Sequence, residues 1–151
     1  MNAAQRDRVR GWLIKAKHDL ASACKLAKAP DQYLDVAIYH CQQAAEKAIK
    51  GFLVSEDIAF DWTHDLEPLL QAASKCREKF KSWLDVAERL TQYGTIYRYP
   101  DDIMEPTADE FESAYAAANE LVEFVRSLLP WAIEGEDVVE SDESSGQRKN
   151  S

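Results

Sequence analysis

Apolar residues recur at three- and four-residue spacing along nearly the whole chain, and the period-two alternation of β-branched residues that marks strands is hard to find. The pattern predicts an all-α protein. Val9, Leu13, Ala16, Leu20, Ala23 and Ala27 share one face of a first helix over about residues 2–28, which stops at "APDQ" because Pro30 cannot continue it. A second helix covers about 33–54. Pro68 lacks the amide that a helix interior requires and belongs in a first turn, which makes Asp65 the N-cap and Leu66 the first residue of a third helix reaching about Arg77, with His64 just outside it. A fourth helix spans about 82–97 and must end near Arg98, because Tyr99 precedes Pro100 and is pushed out of the helical region. "PDDIMEP" is a loop. Thr107 with Glu110 reads as a capping box for a fifth helix over about 108–133, whose end Pro130 should kink or fray. Five helices on short connections predict an up-and-down antiparallel bundle.

Length and composition add limits to that outline. At 151 residues the chain is one domain, assigned to 1–133, and residues 134–151 form an acidic tail with six acids and two bases that reads as disordered. The net charge of −9 and the pI near 4.8 exclude a broad basic surface for duplex DNA. The tail accounts for −4 of that charge, so a small basic pocket on the body stays compatible with it. No run approaches the roughly 18 to 20 apolar residues of a membrane span, and the first residues lack the pattern of a signal peptide, which points to the cytoplasm and to no membrane partner. Cys24, Cys41 and Cys76 have neither framework nor zinc spacing and are expected to be small buried hydrophobes.

The chemistry concentrates in "HCQQAAEKAIK", residues 40–50. With His40 at 0° and about 100° per residue, Ala37, Ile38, Cys41, Ala44, Ala45, Ala48, Ile49 and Phe52 fall between about 40° and 180°, a core stripe. His40, Lys47, Gln43 and Lys50 fall at about 0°, 340°, 300° and 280°, a contiguous polar ridge beside it. An amphipathic helix has a polar side in any case, but His and Gln are not the residues that fill idle surface, and an Ala-rich stripe permits close helix approach, so the ridge is expected to border a crevice. His64 at the mouth of the third helix stands where exposed amides favour an anion. "YGTIYRYPD" sets Tyr93 and Tyr97 one turn apart and then delivers Arg98 and Tyr99, an Arg that can grip phosphate beside rings that can stack on a base. Asp65, Asp101 and Asp102 read as solvated loop acids rather than Mg²⁺ ligands.

"YHCQQAAEKAIKGFLV", "THDLEPLL" and "YGTIYRYPDD", in that order and preceded by "WLIKAKHDLASA", resemble the HEPN family (higher eukaryotes and prokaryotes nucleotide-binding) over about residues 8–126. The resemblance implies a five-helix bundle that pairs into homodimers and works beside a nucleotidyltransferase. Matched residue by residue, it marks His40, Gln43, Glu46 and Lys47 on the second helix, then His64 and Asp65, then Tyr93, Arg98, Tyr99, Pro100 and Asp101 as the recurrent polar positions, and it leaves Lys50 as surface. Members of the family that cut RNA resemble one another in an Arg followed about four to six residues later by a His, the His moving a proton while the Arg stabilises phosphate charge. That motif is absent: Arg10 lies eight positions before His18, and neither His40 nor His64 has an Arg within the preceding dozen residues.

Three functions follow as expectations. The first is a non-catalytic module that binds a nucleotide or similar anion through His40, Lys47, His64 and Arg98, with no other cofactor, and acts with a nucleotidyltransferase. The second is an RNase toxin of a toxin–antitoxin pair, its site composed in space from His40, His64 and Arg98. The third is a homodimerising structural bundle whose polar cluster fixes helix register.

Overall fold

A computed structural model describes residues 1–100 and 104–134, and every regular element among them is helical. Residues 101–103 of the expected loop, Asp101 among them, and all of the acidic tail but Glu134 lie outside the described residues. α1 (Ala3–Leu26) opens on Asn2, whose side chain accepts from the Gln5 amide at 2.8 Å and so satisfies one of the donors that a helix start leaves over. A short connection returns the chain into α2 (Leu34–Ser55), which lies along α1. The two approach closely at Gly51, where an added Cβ would stand 3.0 Å from Trp12 Cβ.

Asp65 caps α3 (Leu66–Ser74) as expected, its carboxylate accepting from the Glu67 amide at 3.1 Å. This helix ends before the expected Arg77: Ser74 Oγ turns back on the Gln71 carbonyl at 2.7 Å, and Arg77 is extended. The expected fourth helix over 82–97 is also shorter. A 3₁₀ turn (Glu78–Trp83) leads into α4 (Leu84–Thr91), and a second one (Gln92–Gly94) follows it. Gly94 supplies the reason, because the backbone there comes down onto α2 until Gln42 Cδ is 3.5 Å from where a Cβ would be. α5 (Ala108–Leu128) begins at Thr107, whose hydroxyl accepts from the Glu110 amide at 3.1 Å. Only that half of the expected capping box is seen, because the Glu110 carboxylate accepts instead from Tyr93 at 2.7 Å and from Tyr97 at 3.2 Å. At Pro130 the helix breaks as expected, and residues 130–134 resume it for one turn. That turn presents Trp131 to α1, with the guanidinium groups of Arg6 and Arg10 at 5.8 and 5.5 Å from its ring centre.

α2 is the hub, packed against α1, α3, α5 and the segments around α4. Between Cys41 and Val54 only Lys47 is not fully buried. This overturns the assignment of Lys50 to the surface: a helix covered on most sides has no wet face, and Lys50 is 1% exposed. Phe52, Phe80 and Phe124 continue the core outward as a chain of rings 4.7 and 5.0 Å apart.

The cysteines divide as well. Cys41 is buried as expected, whereas Cys24 is half-buried and Cys76 is exposed at the end of the α3 turn. Burial pushes the Cys41 thiol up to about 12 from its ordinary 9.0. The neutral thiol is favoured in the fold, so this contribution is complete below pH 9 and is lost as pH rises from 9 toward 12. A maleimide at pH 8 is expected to label Cys76 at least about tenfold faster than Cys41, as followed by mass spectrometry of peptides. Equal rates would contradict the burial of Cys41.

Candidate functional site

The polar residues of α2 divide into two networks on different flanks of the helix. Gln42, Glu46 and Lys50 follow one another at four-residue spacing and therefore lie on one ridge. Glu46, 3% exposed, is its centre. One carboxylate oxygen accepts from Lys50 Nζ at 3.1 Å; the other meets His64 Nδ1 at 2.8 Å and Gln42 Nε2 at 3.2 Å. Gln42 also donates to the His64 carbonyl at 2.9 Å and accepts from Gln43 at 2.7 Å. The Lys50 ammonium lies 5.8, 5.5 and 5.2 Å from the ring centres of Trp12, Phe60 and Trp62. Each buried charge here has its counter-charge and its hydrogen bonds, which offset the cost of taking it out of water. The network ties the segment before α3 to α2.

The second network joins α1 to α2. Asp19, 7% exposed, accepts from Lys47 Nζ at 2.5 Å through one oxygen and pairs with His40 Nδ1 at 2.7 Å through the other. With Nδ1 engaged, Nε2 is the ring nitrogen that a ligand would meet. His40 lines a groove of about 260 Å³ together with Asp35, Val36, Tyr39, Tyr97 and Arg98. The Arg98 guanidinium lies over Tyr39, 3.8 Å from the ring centre, and the Tyr39 and His40 rings meet edge-on at 5.8 Å.

The chain reaches this groove through a strained residue. Tyr97 has φ = +68°, a left-handed conformation that a bulky side chain adopts at a cost of order 1–3 kcal/mol. Its hydroxyl on Glu110 and its ring, stacked 6.3 Å from Tyr93, hold it there, and the reversal turns Arg98 back toward α2. Tyr93 is buried behind the groove; burial, and then its hydrogen bond to Glu110, push its phenol above the ordinary range.

His40 and Arg98, far apart in sequence, therefore share one groove, and Lys47 stands behind His40 on Asp19. His64, Glu46 and Gln43 belong to the other network. Asp65 caps α3, Tyr93 is core, and Tyr99 and Pro100 are exposed on the surface next to Arg98. Sequence reasoning passed over Asp19, Tyr39 and Gln42. An acid among the core positions Ala16, Leu20 and Ala23 was an available signal for the first; the others look like ordinary helix residues until α2 is known to be enclosed. Among the described residues no group of three or more His, Cys, Asp or Glu side chains is placed to hold a metal ion, and no helix is long and apolar enough to cross a membrane.

A helical bundle whose central helix carries paired buried charges, with an Arg/His groove at its edge, is the class of molecule this geometry defines. Residues 9–128 match the family model described as the HEPN domain, and the chain belongs to that family. Two solved structures are similar to it. One is TT1696 from Thermus thermophilus, with 28% identity and a TM-score of 0.70 over 80% of this chain and 97% of that one. The other is ST0689, an archaeal HEPN homologue, with 27% identity and a TM-score of 0.60 over 80% of this chain and 96% of that one. None of the curated proteins matches.

Proposed function

We propose that this HEPN protein is a non-catalytic module that binds a nucleotide or a similar phosphate-bearing ligand between α2 and the Tyr97–Arg98 turn, and that it acts as a homodimer beside a nucleotidyltransferase partner, as the family resemblance implies. The observation that carries the reading is the Arg98 guanidinium stacked on Tyr39 next to a His40 ring oriented by Asp19. A stacked guanidinium keeps its edge for phosphate oxygens, and the held imidazole, its Nδ1 on Asp19, turns Nε2 to the groove as an acceptor for a ribose hydroxyl. The groove is smaller than the roughly 300–1,000 Å³ of an enclosing ligand pocket, which suits a phosphate and sugar, with the base lying outward toward the exposed Tyr99. The Arg98 fork and one oriented ring give affinity without a basic surface, in keeping with the net charge of −9.

Calorimetry with ATP and GTP tests this. The wild type is expected to bind one of them, and Arg98→Ala to weaken that binding at least about tenfold, roughly 1.4 kcal/mol, with thermal stability little changed. No binding by the wild type would overturn the reading. The same pairing of His40 with Arg98 also favours a second reading, in which the groove cuts RNA with His40 as the proton-transfer group. Cleavage of total RNA by the wild type and not by His40→Ala would put that reading in place of the first.

A further inference from the structure

A second groove lies on the outer flank of α1, apart from the Arg98 groove. It measures about 370 Å³ and is lined by Arg8, Gly11, Trp12, Lys15 and Lys47. Gly11 contributes to its form, since a Cβ there would meet nothing within 4 Å. The floor is indole and three of the five lining residues are cationic. Among the described residues Arg8 and Lys15 enter no ion pair. The surrounding helix is basic in its own right: residues 3–18 hold Arg6, Arg8, Arg10, Lys15 and Lys17 against the single acid Asp7. A concentration of cations around a half-buried indole, in a protein whose net charge is −9, calls for an acidic occupant with some apolar character.

The chain carries such a segment. Residues 137–143 read "DVVESDE", two valines bounded by Asp137 and Glu140 and followed by Asp142 and Glu143. The described chain ends at Glu134, three residues after Trp131, which Arg6 and Arg10 hold against this same helix. From Glu134 to Val139 is five residues, a reach of up to about 17 Å, which exceeds the roughly 10–12 Å across a helix. We propose that the Trp12 groove is the docking site of this chain's own acidic segment, with Val138 and Val139 against the indole of Trp12 and the flanking carboxylates on Arg8 and Lys15. The contact is intramolecular. It answers the positive end of the body with the negative end of the chain, it weakens with salt as exposed ion pairs do, and it does not depend on the nucleotide reading.

Zero-length carbodiimide cross-linking of the full-length protein, read by peptide mass spectrometry, tests it, because the reagent joins a carboxylate to a lysine amine only when the two touch. Cross-links from Asp137, Glu140, Asp142 or Glu143 to Lys15 are expected at roughly five times or more the yield to Lys25, Lys28, Lys75, Lys79 or Lys81. They should fall away in 0.5 M salt, about a 4 Å Debye length, and in Arg8→Glu. A 1:1 mixture of ¹⁴N- and ¹⁵N-labelled protein should give unmixed cross-links at every concentration. Even yields over all lysines would overturn the proposal. So would mixed-isotope cross-links growing with concentration, which would assign the groove to the acidic segment of a second copy.

Discussion

Glu46→Ala is expected to lower the unfolding free energy by about 3–5 kcal/mol, the largest loss from any single polar substitution among the described residues. The argument concerns what is left behind more than what is removed. Lys50 is 1% exposed, and Glu46 is the carboxylate paired with its ammonium. Without it a buried cation faces three aromatic rings, whose attraction for it is of order 1–2 kcal/mol, well short of the cost of desolvating a charge. The same substitution strips an acceptor from His64 and from Gln42. Glu46→Gln should be nearly as harmful, since it keeps the shape and still leaves Lys50 uncompensated. Pairing Glu46→Gln with Lys50→Met removes both charges at similar volume and should recover most of the loss, because a buried ion pair adds little over well-packed neutral residues. Urea titration reads the series as a fall and recovery of the midpoint at constant slope. A Glu46→Ala unfolding free energy within about 1 kcal/mol of wild type would show that water reaches Lys50 and that the network is not closed.

This network also shows how much of the molecule could be read from the chain. Helix starts were legible because they depend on local chemistry: Asp65 and Thr107 cap where their side chains and the prolines nearby dictate. Helix ends were less so. The fourth helix shortens at Gly94 because of Gln42, a residue 52 positions away, and periodicity contains nothing of that contact. The candidate site was legible as a set of residues and not as an arrangement. A helical wheel gives the angle of each side chain but not which neighbours stand at that angle, so one polar ridge on α2 became two networks once α1 and the segment before α3 covered opposite parts of it. His40 and Arg98 meet only because Tyr97 reverses the chain, a left-handed turn that no tyrosine announces.

Asp19→Ala separates holding the fold from holding a ligand. Asp19 touches the Lys47 ammonium and the His40 ring, each 26% exposed, so water takes over part of its role and the expected loss is about 2–3 kcal/mol, below that of Glu46→Ala. The further effect falls on the groove. With Asp19 gone, nothing fixes the His40 ring or keeps its proton on Nδ1, and Lys47 is freed to swing away. Nucleotide affinity should therefore fall several-fold even though Asp19 does not line the groove, and Asp19→Asn, which keeps an acceptor for His40, should regain more of the affinity than of the stability. Arg98→Ala is expected to show the opposite profile, with binding lost and stability kept, because the guanidinium rests on the exposed side of Tyr39. If Asp19→Ala unfolds more easily and yet binds a nucleotide as tightly as wild type, His40 is not a ligand contact. The Asp19–His40–Lys47 group is then a clasp between α1 and α2, and Arg98 is the centre about which the ligand must be sought.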